Sequence, residues 1–506
     1  MVRKKIKSAL ISVYCKDNLE PVIKTLGKYG VTIYSTGGTF DFIKNITEVH
    51  SVESLTGYPS ILGGRVKTLH PKVFGGILSR RDNSSDKEDL AKYTIPEIDL
   101  VIVDLYPFSE TLASGSSHEE IIEKIDIGGI SLIRAAAKNY KDVLTVSSRD
   151  QYSSLLELLE SQSGTVGIED RIRYAADAFE LTAKYDQNIS DYFASLLNKE
   201  KFALNISPAN KLRYGENPHQ QGVFYGKLDD IFTRLHGKEI SYNNLLDIDS
   251  AFALINDFQE TTYAVIKHNN ACGCASDSEP AKAWEKALAA DPVSAFGGII
   301  ITNSPVDVEV AEEINKLFFE IILAPEYSNE ALNLFKTKKN RIILATKSGK
   351  RPTKQFRSVL NGVLLQDIDN VSEDISYLKQ VTKKSPTEQE ISDLLFANKL
   401  VKHSKSNAIV LVKNKQLLAS GIGQTSRVDA LKQAIEKAKN FGFSLSGAVM
   451  ASDAFFPFPD CVEIASKEGI TAIIQPGGSM RDRESVDLCD QTGLSMAITG
   501  YRHFKH

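Results

Sequence analysis

The sequence predicts an α/β chain with a mainly parallel sheet, organised in more than one domain, on three observations. Short apolar runs rich in β-branched residues (SALIS, VTIY, LVIV, LTV) alternate with longer stretches of helical period. At 506 residues the chain exceeds the size at which a single core usually keeps growing. An order of elements in the second half is also echoed later in the chain.

The elements follow in order. KSALISVY reads as a first buried strand and NLEPVIKTLGKYG as a helix, and VTIYSTGG is a strand running into a loop. Later come the strand DLVIVDLYPF, the helices HEEIIEKI and GGISLIRAAAKNY, and the strand KDVLTVSS. In such sheets ligands bind at the carboxyl ends of the strands. Between about residues 167 and 198 the text holds helical period without an interior Pro or Gly, and KLRYGENPHQ then opens a loop of different composition. The boundary is therefore expected near residue 200, dividing the chain into 1–199 and 200–506. Beyond it, helix AFALINDFQ, strand TYAVIKH, a loop, helix AKAWEKALAA and strand GGIIITN are matched by helix ALKQAIEKAKN, strand SGAVMAS, loop DAFFPFPD, helix CVEIASKEG and strand ITAIIQPGG. This suggests a duplicated α/β unit.

Composition excludes several classes. A net charge of -4 with 42% hydrophobic and 25% charged residues leaves no broad basic field, so nucleic acid is not expected as a partner. Five cysteines without regular spacing argue against a disulfide framework and for a reducing compartment, the cytoplasm. MVRKKIKSALISVY superficially resembles a secretion signal, but Tyr14, Cys15, Lys16 and Asp17 follow without a small-residue cleavage pattern. No apolar run reaches the roughly 18 residues of a membrane span.

The chemistry-bearing motifs lie where strands end. STGGT (Ser35–Thr39, with Gly37 and Gly38) sits between a strand and a helix, where a glycine turn can expose backbone amides to a phosphate. Taken alone, it is more readily a plain strand-to-helix turn. GGRVKTLHP adds Arg65, Lys67 and Thr68 on a glycine-loosened loop suited to an anion, or simply a solvated basic turn. Tyr106, Asp126 and Lys138 are groups suited to proton transfer and charge stabilisation. In the second half, IKHNNACGCA sets Lys267 beside His268, followed by Cys272 and Cys274. Zinc would need more ligands than Cys-x-Cys and one His supply, and no Glu completes a deaminase signature. No catalytic metal is therefore expected, and a proton relay is the working reading against a satisfied core histidine. Arg213, Tyr214 and His219 in RYGENPHQ, Phe296 and Gly297 in DPVSAFGG, Asn407, Ser426, Arg427, Asp453, Phe455 and Phe458 together describe a site for a flat, partly anionic heterocycle. The FFPF aromatics alone would more readily be core.

STGGT, GGRVKTLHP, LYPF, IDIGG, RAAAKN, RYGENPHQ, KHNNACG, DPVSAFGG, SDAFFPF and RHF occur in order across nearly the whole chain. In this combination the sequence closely resembles the bifunctional purine-biosynthesis family that joins AICAR transformylase to IMP cyclohydrolase. The resemblance implies an N-terminal cyclohydrolase domain of methylglyoxal-synthase-like fold. It also implies a C-terminal transformylase of two cytidine-deaminase-like subdomains without catalytic zinc, and a homodimer sharing transformylase sites. The co-substrate would be 10-formyltetrahydrofolate, and the substrates AICAR and formyl-AICAR. On the family's pattern His268 is the base, Lys267 the partner of developing charge, and Asn407 orients the formyl group or carboxamide. Arg213, Tyr214, Arg427 and Arg502 match nucleotide-binding positions, Phe296, Phe455 and Phe458 line the pocket, and Glu320 would hold the pterin. Lys67, Tyr106, Asp126 and Lys138 match cyclohydrolase catalytic positions, and Ser12, Lys16, Ser35, Gly37, Gly38, Thr39, Arg65 and Thr68 its phosphate and ribose contacts.

Four positions depart from the family's usual residues: Asp104 for Asn, Tyr14 for a small hydroxyl, Ala271 for Pro and Pro459 for Arg. Asp104 near a phosphate or Tyr106 would add repulsion. Cyclohydrolase activity is nonetheless expected to survive, and an Asp104→Asn variant with a far lower Michaelis constant would reveal a compromised site. Two rivals follow: an N-terminal module that binds nucleotide for regulation only, and a folate-independent transformylase using formyl phosphate.

Overall fold

The strand Ser8–Ser12 is the middle of a five-stranded sheet, parallel throughout, in the order His50–Ser51, Thr32–Ser35, Ser8–Ser12, Leu100–Val103, Leu144–Val146. This is a computed structural model, and it describes residues 3–204, 206, 208–349 and 352–506. Helices cover both faces, which is why these strands are near-continuous apolar runs. Along them the side chains alternate: Ala9, Ile11, Leu100 and Ile102 enter one core, and Leu10, Val101 and Val103 the other. The chain first winds outward to His50–Ser51, then returns to the opposite side of Ser8–Ser12. The strand order therefore reverses between Ser8–Ser12 and Leu100–Val103, and a crevice opens there at the carboxyl ends. The helix Ile168–Leu196 packs on this sheet, and its buried Arg171 donates to the carbonyls of Val166 (2.7 Å), Tyr140 (2.9 Å) and Lys141 (3.1 Å). These elements belong to one compact unit, Met1–Asn205; the other is Ile206–His506.

The second unit is organised on a twelve-stranded mixed sheet. At its centre two antiparallel hairpins meet, Thr262–Lys267/Asn270–Ser276 and Ile409–Lys413/Gln416–Gly421, joined through the pair Ala275 and Gln416. From each hairpin the sheet continues outward in the same pattern. The first half adds Ile299–Thr302 antiparallel, then Ile321–Ala324 and Ile342–Thr346 parallel; the second adds Val449–Ser452, Ala472–Gln475 and Ser495–Ile498 likewise. A shared core contains residues of the helices Tyr242–Ile255 and Glu388–Lys402, and each half has a further core of its own.

The duplication is real, but its register differs from the sequence expectation. The helix Pro280–Ala289 (AKAWEKALA) corresponds to Arg427–Asn440 (ALKQAIEKAKN), not to CVEIASKEG, and the strand Thr262–Lys267 corresponds to Ile409–Lys413, not to GAVMAS. Helical period marks an amphipathic helix but cannot say which of several consecutive helices is its counterpart. Strand pairing decides that. A separate hairpin, Lys354–Val359/Gly362–Asp367, exposes every residue along both strands.

Candidate active sites

In the N-terminal unit the crevice is braced by the hydroxyls of the STGGT segment. The Val13 N–H donates to Thr39 Oγ1 (3.1 Å), the Thr39 hydroxyl donates to the Val13 carbonyl (2.8 Å), and the Ser35 hydroxyl donates to the Ile11 carbonyl (2.7 Å). These groups tie neighbouring strand ends together. Gly37 is left-handed (φ 57°) at the start of the helix Gly37–Ile43, and a Cβ there would lie 3.4 Å from Lys67 Nζ. A Cβ on Gly38 would lie 3.8 Å from Lys16 Nζ. Two ammonium groups therefore converge on a backbone without side chains, the arrangement an anionic group needs. Ser12 ends its strand opposite Val103.

Opposite this cradle stands a buried carboxylate. Asp126 receives the Gly129 N–H at Oδ1 (2.6 Å) and further backbone donation from Tyr106 and Ile130 at the start of the helix Gly128–Lys138. Its own N–H donates to the Tyr185 hydroxyl (2.8 Å), which in turn donates to the Lys124 carbonyl (2.7 Å). Burial pushes the Asp126 carboxyl above its ordinary range, against the pull of those amides. The half-exposed Tyr106 phenol is pushed up as well, first by burial and then by Asp126, Tyr14 and Asp104. Its ring meets Tyr14 edge-on at 5.6 Å, and Lys124 Nζ lies 5.4 Å from the Tyr14 centroid and 6.0 Å from that of Tyr106.

Asp104 adds its charge to those that raise Tyr106, as the sequence suggested, and it also has a structural part. Its two oxygens accept the backbone N–H groups of Tyr14 and of Cys15 (2.9 Å), so the carboxylate clamps the loop across the strand-order reversal. Burial still raises its carboxyl, and the two amides oppose that.

Arg65 pairs with Glu123, and Thr68 is buried with its hydroxyl oxygen 3.3 Å from where a Cβ on Gly128 would stand. Lys138 closes the far end of an eleven-residue helix and is exposed. A helix of that length is about 16 Å long, so this chain does not bring Lys138 to Asp126.

In the C-terminal unit Lys267 and His268 stand at the tip of the first central hairpin. Lys267 Nζ donates to the Phe296 carbonyl (2.7 Å), and a Cβ on Gly297 (φ 70°) would lie 3.5 Å from that nitrogen. The Phe296 and Phe318 rings lie 5.0 Å apart, both largely exposed. His268 (φ 50°) and Asn269 (φ 65°) form a left-handed two-residue turn, and the exposed imidazole extends from it. Glu320 is paired with Lys238 (2.7 Å).

Across the two hairpins, the Lys405 N–H donates to Asn270 Oδ1 (3.2 Å), joining the His268 hairpin to the segment that carries Asn407. The Asn407 amide donates to the Gln424 carbonyl (3.0 Å) and accepts from Arg427 Nη2 (2.9 Å). Arg427 also binds Asp453 Oδ1 (2.7 Å) and the Phe455 carbonyl (3.2 Å) and is almost wholly buried. Arg427 Nε and Asp453 Oδ2 are buried without a hydrogen-bond partner.

The remaining expected residues take varied positions. Ser426 caps the helix Arg427–Asn440, exchanging hydrogen bonds with Asp429. Phe455 is half-buried and Phe458 half-exposed under Arg481, whereas Phe456 between them is the core residue. Arg213 lies over Tyr214, His219 is exposed, and their loop is tied to the helix Tyr242–Ile255 through Asn243 and the Glu216 carbonyl (3.2 Å). Exposed Arg502 precedes the buried His503, which binds Asp369 (2.6 Å) and Glu373 (2.8 Å); these two carboxylates raise its imidazole to about 9 against burial. Cys272 and Cys274 are buried free thiols, and burial pushes Cys272 up to about 12. They are packing residues. No group of metal-ligating side chains occurs among the described residues.

Two residues escaped the sequence reading. Lys124 lies beside the IDIGG motif, but no spacing ties it to Tyr106. Asp247 accepts the Asn269 N–H (2.6 Å), and only a correct register of the repeat would have singled it out.

The chain matches the family model described as AICARFT/IMPCHase bienzyme over residues 136–437, and the one described as MGS-like domain over residues 18–131. It is 60% identical to the bifunctional purine biosynthesis protein PurH of Bacteroides thetaiotaomicron, over 99% of each chain. Against the protein of the same name from Aquifex aeolicus it is 48% identical, over 98% of this chain and 100% of the other.

Proposed function

The chain belongs to the AICARFT/IMPCHase bienzyme family, and from that premise we propose how its two units divide the work. It catalyses the last two steps of purine biosynthesis, formylation of AICAR and closure of formyl-AICAR to IMP, with a folate-type formyl donor. The finer reading is that the C-terminal unit takes the formyl group from 10-formyltetrahydrofolate. The 5-amino nitrogen of AICAR attacks the formyl carbon, and the bond from that carbon to the folate nitrogen breaks. His268 takes the proton shed by the amine, and Lys267 stabilises the developing charge and returns a proton to the leaving nitrogen. Asn407, held by Arg427, orients the carboxamide; Phe296, Phe455 and Phe458 pack against flat rings; Arg213, Tyr214 and Arg502 bind the nucleotide; Glu320 holds the pterin.

The N-terminal unit closes the ring. Lys16, Arg65, Thr68 and the STGGT backbone hold the phosphate and ribose while the carboxamide nitrogen meets the formyl carbon of the same molecule, so positioning supplies much of the rate. Lys67 and Tyr106 polarise the formyl oxygen, and Asp126 accepts the carboxamide proton as water leaves. Lys138 is assigned to the same chemistry only by the family pattern, and a homodimer remains part of the proposal. No helix among the described residues is long and apolar enough to cross a membrane; we place the enzyme in the cytoplasm.

The observation that carries this reading is the buried Asp126 beside Tyr106 in a chain that also presents Lys267–His268 on a hairpin tip. Purified protein given AICAR and 10-formyltetrahydrofolate should release tetrahydrofolate and IMP in equal amounts. Accumulation of formyl-AICAR would instead make the N-terminal unit a nucleotide-binding module, the reading that full-length likeness to bifunctional relatives disfavours.

A further inference from the structure

We infer that Asp247 is the positioning residue that aims His268, an inference resting on the assignment of His268 as the base of formyl transfer. The left-handed backbone that Asn269 adopts readily is sterically unfavourable at His268, so a turn that carries the imidazole gains from a brace. Asp247, on the helix Tyr242–Ile255, provides it. Its Oδ1 accepts the Asn269 N–H at 2.6 Å, and with the Asn269 amide turned to face donor to acceptor, its side-chain nitrogen lies 3.2 Å from the same oxygen and 2.9 Å from the Leu246 carbonyl.

The internal duplication strengthens the case. Asp247 is the sixth residue of its helix, and Asp393 is the sixth residue of the corresponding helix Glu388–Lys402. Asp393 clamps the corresponding hairpin turn, accepting the Asn414 N–H (2.8 Å) and the Lys415 N–H (2.7 Å), and both turn residues are again left-handed. In the second half the clamping carboxylate, Asp393, is buried and holds Asn414 and Lys415. In the first half the same device holds a turn whose first residue is an imidazole, and Lys267, His268 and Glu320 all act on the half-buried Asp247. The repeat thus contains its own control: one clamp that only supports the fold, and one that also points a side chain at the reacting amine.

The test compares variants of the two aspartates in the full chain. Asp247→Ala should lower kcat for formyl transfer about 10- to 100-fold, the scale of a misplacement near 1 Å. KM for AICAR should stay within about threefold, and ring closure from added formyl-AICAR should be unchanged. Asp247→Asn, which keeps an acceptor oxygen for the Asn269 N–H, should recover most of the loss. Asp393→Ala should lower the melting temperature with little change in kcat. Normal kcat in Asp247→Ala, a loss confined to KM, or an equal kcat loss in Asp393→Ala would overturn the inference. Should Asp247→Ala fail to fold, Asp247→Ser decides: its shorter hydroxyl leaves the Asn269 N–H without the carboxylate that holds it. Lowered kcat there supports the inference, and unchanged kcat overturns it. Absence of formyl transfer in the wild-type chain would instead defeat the underlying assignment of function.

Discussion

In the N-terminal unit Asp104 follows the strand Leu100–Val103 and Asp126 precedes the helix Gly128–Lys138, and both carboxylates are held by main-chain amides, Asp126 by Gly129 and Asp104 by Tyr14 and Cys15. In the C-terminal unit Lys267 and His268 stand on the tip of an antiparallel hairpin, which a carboxylate from a helix holds in place. The first arrangement follows from strand order, because a reversal in a parallel sheet opens a crevice whatever the side chains are. The second depends on particular side chains, since a hairpin tip has no crevice of its own. A substitution in the first site should therefore act on the electrostatics of a preformed cleft, and one in the second on the aim of a single group.

The largest effect expected is at the hairpin. His268→Ala should cut formyl transfer by roughly 10²- to 10⁴-fold while ring closure of supplied formyl-AICAR is unchanged; loss of both in parallel assays would erase the division between the units. Next is Asp126→Asn, with a loss of about 10²-fold or more in ring closure and none in formyl transfer. Because burial raises the Asp126 carboxyl, the wild-type ring-closure rate should begin to fall, on lowering the pH, above the ordinary aspartate range. A pH–rate profile without that limb would contradict Asp126 as the base.

Asp104→Asn sharpens the comparison further. The two carboxylate oxygens serve two amides, and an amide side chain offers one acceptor, so one loop N–H loses its partner. Such a loss costs about 1 kcal/mol, which corresponds to a KM for formyl-AICAR raised about fivefold. A lower KM would instead make the repulsion between Asp104 and Tyr106 the larger of its two effects.

The smallest effect concerns the C-terminal segment. His503 has its imidazole raised to about 9 from an ordinary 6.5, so its ion pairs stabilise fully below about pH 6.5 and are lost as pH rises through about 9. The melting temperature of the C-terminal unit and the apparent affinity for AICAR should both decline across that window, and His503→Gln should flatten the decline.

Much of this was legible in the chain itself. The alternation of SALIS, VTIY and LVIV with helical segments specifies a parallel sheet because strands covered on both faces must be apolar throughout. Gly37 of STGGT marks a turn because its left-handed backbone (φ 57°) is one that residues with a side chain rarely adopt. The order of motifs was enough to identify the family. What the chain did not disclose was pairing. Nothing in LLDIDSAF says that Asp247 meets the amide of Asn269, 22 residues later, nor in DLYPF that Asp104 reaches back 90 residues to Tyr14. The repeat was visible as pattern but misaligned, since amphipathic period is the same in every helix and only strand partners tell one from the next. Local chemistry is set by neighbours along the chain, so composition, turn residues and motif order determined the fold class, the family and the residue types at each site. Contacts between distant residues are set by the register of strands and the packing of helices, and only the tertiary structure decided which carboxylate clamps which turn.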